Sequence, residues 1–93
     1  MNKRKLNKAR KEIDKLDANI FKLIKKRTQI VKYMLSLKKY KSQIIDHKRI
    51  NTILKNVRNK SIMNRIDPKI TRRIWTSMIW GFIDFQRKNF KKK

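Results

Sequence analysis

One apolar stripe constrains this chain more than any other feature. It reads Leu6, Ala9, Ile13, Leu16, Ile20, Leu23 and Ile24, then Arg27, then Ile30, Val31 and Met34, then Lys38. Steps of three and four define one helix face, and no Gly or Pro interrupts residues 6–39. A helix of about 34 residues spans roughly 50 Å. That exceeds the width of a domain of 93 residues, so the mismatch favours a dimer in which long helices cover one another. Arg27 and Lys38 stand in the stripe itself. A cation facing a core needs a partner of opposite charge, and no Asp or Glu lies between Asp17 and Asp46 to serve locally. The missing anion is then a ligand. The competing reading is that both side chains snorkel from a buried stripe to water.

The rest of the chain is also helical in pattern. Lys39 to Gln43 loses the period and reads as a loop. Asp46 suits an N-cap, and Ile50, Ile53, Leu54 and Val57 give a short second helix. Asn59 to Ile66 reads as a polar connection. Asp67-Pro68 is the sharpest boundary, because Asp caps and Pro favours the first helical turn. The stripe after it runs Ile70, Ile74, Trp75, Met78, Ile79, Phe82, Ile83, Phe85, then Gln86. Gly81, the only glycine, lies inside this helix at a cost in propensity, so close packing of another backbone is expected there. The fold class is all-α, with long, short and medium helices in one domain over residues 1–93. Its core spans residues 6–90, and residues 91–93 form a basic tail.

With 29 Lys and Arg against 6 Asp and Glu, the net charge is +23. Such charge suits nucleic acid or an anionic surface, and nonspecific polyanion binding follows from it. A second reading competes. Lys, Asn and Ile are abundant while Ala, Gly and Pro are scarce, as AT-rich codons would produce. The late aromatics, Trp75, Trp80, Phe82, Phe85 and Phe90, could stack on bases, but at helical spacing they read as core or dimer interface. No apolar run resembles a signal peptide or a membrane span, so a cytoplasmic protein is expected.

Few residues could carry acid–base or covalent chemistry. There is no cysteine, His47 is the only histidine, and the carboxylates are scattered. A zinc set, a Ser/His/Asp set and a Gly-rich phosphate loop are all missing, so no metal and no cofactor is expected. An enzyme built from this inventory works by positioning and electrostatics.

The order of residues resembles the all-helical chorismate mutase family. Its opening pattern is matched by Leu6, Arg10, Ile13, Asp14, Leu16 and Asp17. An Arg in mid-helix and a Lys near the helix end are matched by Arg27 and Lys38. Asp46 and Arg49 match an Asp-x-x-Arg at the second helix, and Pro68 and Gln86 match the limits of the third. The resemblance covers residues 6–86.

The resemblance implies an intertwined homodimer whose sites use both chains, and a small cyclic dicarboxylate as substrate. Arg10 would cross to the partner's pocket and hold one carboxylate; Arg27 would hold the other from within the chain, with Arg49 assisting. Spacing agrees: Arg10 and Arg27 are about 25 Å apart along one helix. Lys38 and Gln86 would hydrogen-bond the ether oxygen whose bond breaks. Asp46 would hold the ring hydroxyl, and Met34 and Ile79 would line the pocket. The implied reaction is the rearrangement of chorismate to prephenate. Two positions depart from the mutase pattern, Ile50 where Glu is usual and Phe82 where Ser is frequent. Both look like isochorismate pyruvate-lyases on the same fold. The alternatives to the mutase are therefore that lyase and, from another class, a basic helical nucleic-acid-binding protein.

Overall fold

A computed structural model describes residues 2–91; Lys92 and Lys93 of the basic tail lie outside the described residues. Among the described residues three helices follow one another, α1 (Lys3–Leu37), α2 (His47–Met63) and α3 (Pro68–Asn89), with one 3-10 turn at Lys41–Gln43. No strand occurs among the described residues. The chain divides into two units, Met1–Val31 and Lys32–Lys93, the division falling inside α1.

The first unit is the bulk of α1. Asn2 opens it, its Oδ1 accepting a hydrogen bond from the Lys5 N–H at 3.1 Å. This satisfies one of the donors left free at a helix start. The apolar stripe is present but largely uncovered: Ile13, Leu16, Ile20 and Leu23 are each more than half exposed. Four large aliphatic side chains in a row at helical spacing form an apolar face that water solvates poorly.

The second unit holds the core. Ile44, Ile79 and Ile83 are buried together, and Leu35, Ile45, Ile50, Ile53, Leu54, Trp75 and Phe90 pack around them. Asp46 caps α2 by accepting from the Arg49 N–H at 2.9 Å, and Asp67 caps α3 by accepting from the Lys69 N–H at 2.9 Å. Pro68 takes the first position of α3, where its missing N–H costs nothing.

The polar connection expected over residues 59–66 is a correction. α2 continues to Met63 because Ser61 finds a partner that no local pattern reveals. Its hydroxyl lies 2.6 Å from the Thr71 hydroxyl of α3 and donates to the Val57 carbonyl. The Ile66 N–H then closes the helix end on the Ser61 carbonyl at 2.9 Å. The chain turns through Arg65 at φ 56°, a left-handed position that usually takes glycine. Beyond its own helix and chain neighbours, no described residue comes within 4 Å of where a Gly81 Cβ would stand, so this chain does not itself supply the close backbone expected there. Nor do the late aromatics share one fate, since Trp75 and Phe90 pack on the core while Trp80 stays 38% exposed.

Candidate active site

Lys38 is the first residue beyond α1, and a loop fixes it. Its own N–H donates to the Leu35 carbonyl at 3.1 Å. Immediately after it, the Gln43 side chain accepts from the Lys39 and Tyr40 N–H groups, each at 2.8 Å. One amide oxygen thereby satisfies two backbone donors of the loop that follows α1. Gln43 stands in an aperiodic loop, so spacing gave no signal of this role.

From that position the Lys38 Nζ donates to the Gln86 Oε1 at 2.7 Å. Gln86 lies on the inner face of α3 and is only 7% exposed. An ammonium can only donate, so the amide oxygen must face it and the Nε2 group becomes the outward donor. That group makes a long contact of 3.3 Å to the Phe82 carbonyl. The pair thus keeps free donor capacity, with two ammonium protons and a weakly engaged amide N–H. The hydrogen-bond partner of this partly buried cation is a neutral amide, with the Asp46 carboxylate acting on it through its charge.

Burial pushes the Lys38 ammonium below its ordinary pKa, because desolvation penalises the charged form, while the Asp46 carboxylate pulls in the opposite direction. Asp46 thus acts twice, capping α2 and biasing Lys38 toward its charged form. The Asp46–Arg49 pairing within α2 runs through the Arg49 backbone N–H. The Arg49 side chain borders a groove of about 310 Å³ between α2 and α3, which Ile53, Val57, Ser61, Thr71 and Trp75 also line.

The remaining candidates are distributed as follows. Ile79 is buried in the core cluster and Ile50 packs against it. Phe82 is half-buried on α3, and Met34 is 48% exposed on α1. Arg10 is exposed and Arg27 half-buried, both in the first unit. Among the described residues, no group of three His, Cys, Asp or Glu side chains could hold a metal ion, and no helix is long and apolar enough to cross a membrane. The second unit therefore supplies a fixed ammonium beside a fixed amide. Such an arrangement stabilises negative charge on an oxygen without moving a proton.

Comparison with known proteins adds one match. Residues 9–87 fit the model of the family described as chorismate mutase type II. No curated protein and no solved structure gives a significant match.

Proposed function

The chain belongs to the chorismate mutase type II family, and from that premise we propose how its own residues perform the reaction. The protein is an isomerase of aromatic biosynthesis that converts chorismate to prephenate. In that rearrangement one C–O bond breaks as one C–C bond forms. No proton changes hands and no covalent intermediate is needed, which suits a chain so poor in acid–base residues.

Lys38 and Gln86 address the ether oxygen. The observation supporting this is their 2.7 Å hydrogen bond, which orients the Gln86 amide with its N–H side outward. Negative charge grows on the ether oxygen as its bond to carbon stretches. A partly desolvated ammonium stabilises that charge more in the transition state than in the ground state, which is the condition for raising turnover. Asp46 holds the ring hydroxyl and keeps Lys38 charged. Arg27, about three turns before Lys38 on the same stripe, binds one substrate carboxylate with Arg49 assisting. Ile79 and Met34 supply apolar wall, and Phe82 and Ile50 set the shape around the ring. The whole chain acts as one catalytic domain, in the cytoplasm.

Arg10 belongs to the neighbouring site in this reading. Its distance from Arg27 along one helix prevents both from gripping one small dianion, whereas a second chain returns it. The uncovered stripe of Ile13, Leu16, Ile20 and Leu23 supports a homodimer that buries it. Subunit mixing tests the arrangement. Arg10→Ala and Lys38→Ala proteins are each expected to be nearly inactive on chorismate. Unfolded and refolded together, they should regain about a quarter of the wild-type rate, since half the dimers then carry one intact site. Prephenate formation without recovery on mixing would reject the shared site and leave the reaction standing.

A further inference from the structure

We propose that the outward face of α3 is a track for single-stranded nucleic acid, a second binding activity apart from the mutase pocket. Lys69, Arg73, Trp80 and Arg87 stand at i, i+4, i+11 and i+18 on this helix, which superposes them within a narrow strip. The strip runs about 27 Å. Lys69, Arg73 and Arg87 are exposed, and the Trp80 indole between them is 38% exposed. Lys69, Arg72, Arg73, Thr76 and Ser77 border an open depression at its start.

Trp80 stands outside the cluster that fills the core. α3 turns Trp75, Ile79 and Ile83 inward, and Trp80, on their flank, keeps 38% of its surface exposed. An aromatic set among cations is the composition that binds unpaired strands: the cations hold phosphates and the ring stacks on a base. A duplex hides its bases from such a ring. A membrane-seated helix would need its whole apolar face for the lipid, and α3 turns Trp75, Ile79 and Ile83 into the core, which leaves Ile70 and Ile74 exposed along with Trp80.

The charge balance favours the same partner. Asp84 is the only carboxylate on α3. The chain carries 29 Lys and Arg against 6 Asp and Glu, so cations outnumber acids along the strip even with Asp84 beside it. Phosphate binding at three or four cations releases counterions, and affinity then falls steeply with salt.

Fluorescence anisotropy of a labelled oligodeoxythymidine with the full chain, across a salt series, tests the track. Lys69→Ala/Arg73→Ala should lower the salt slope by about 1.4, at about 0.7 per lost phosphate contact. The charge-matched control Lys48→Ala/Lys55→Ala, on exposed positions of α2, should change it far less. Trp80→Ala should weaken oligodeoxythymidine binding roughly 5- to 100-fold and leave binding to inorganic polyphosphate unchanged, with chorismate turnover intact in every variant. Equal effects of the two double variants would reduce the binding to diffuse charge and overturn the proposal. So would preference for anionic phospholipid vesicles, or a change of sedimentation in Trp80→Ala, which would assign the indole to a subunit contact.

Discussion

In the proposed mechanism Lys38 concentrates the chemistry in one side chain. It would have to stay charged to stabilise the ether oxygen, yet burial works against the charged form. Its ionisation lies below the ordinary lysine value of 10.5, from burial, and Asp46 limits the drop. Turnover needs the protonated form, so the rate is fully present below the lowered pKa and is lost as pH rises through it. The alkaline limb of the chorismate rate profile should therefore begin before pH 10.5 is reached. Asp46→Asn should move that limb to lower pH, because the group raising the Lys38 pKa is gone. Asn remains a good N-cap, so α2 should persist by circular dichroism. Lys38→Gln should flatten the limb and reduce turnover on the order of a hundredfold or more, as for loss of a charged transition-state donor. A limb unmoved in both variants would free Lys38 of this role.

At the scale of the element, two residues sit in places that suit each other better. Gly81 lies inside α3, where glycine costs about 1 kcal/mol against alanine, and a Cβ there would meet no described residue beyond its own helix and neighbours. Arg65 holds the left-handed turn after α2 at φ 56°, where a side chain costs on the order of 1 kcal/mol and glycine does not. Gly81→Ala and Arg65→Gly should each raise the melting temperature by several degrees, the scale of about 1 kcal/mol in a small domain. Sites without shared partners should add nearly fully in the double variant. A Gly81→Ala protein that melts lower would place a second backbone against α3 in the assembled protein.

For the whole molecule, apolar burial and charge oppose each other. The stripe on α1 favours association, while a net charge of +23 on each chain resists it. Salt screens repulsion between exposed charges over about 10 Å at 0.1 M and leaves hydrophobic contact in place. The proposed dimer should therefore tighten as sodium chloride rises from about 0.05 to about 0.5 M, as sedimentation equilibrium at micromolar protein would measure. Substrate affinity, which rests on arginine–carboxylate pairs in the proposed mechanism, should weaken over the same range. A monomer at every salt concentration would leave the α1 stripe without its cover.

Much of this molecule was legible in its residues because the physics concerned is local. The apolar period of α1, the caps at Asp46 and Asp67 and the start at Pro68 depend on neighbours within a turn of helix. The family pattern is legible for the same reason, as residue types at set spacings along three helices. Packing decided the rest. The extension of α2 to Met63 hangs on Ser61 meeting Thr71 from another helix. Trp75 goes inward and Trp80 outward according to how α3 is rotated against its core, which composition does not encode. The partner of Lys38 stands 48 residues away, and two groups so distant meet only after the chain has folded. The sequence alone determined that helices form and which cations stand in the apolar stripe; the tertiary structure decided which neutral amide receives one of them, because hydrogen bonds between distant residues depend on how helices dock.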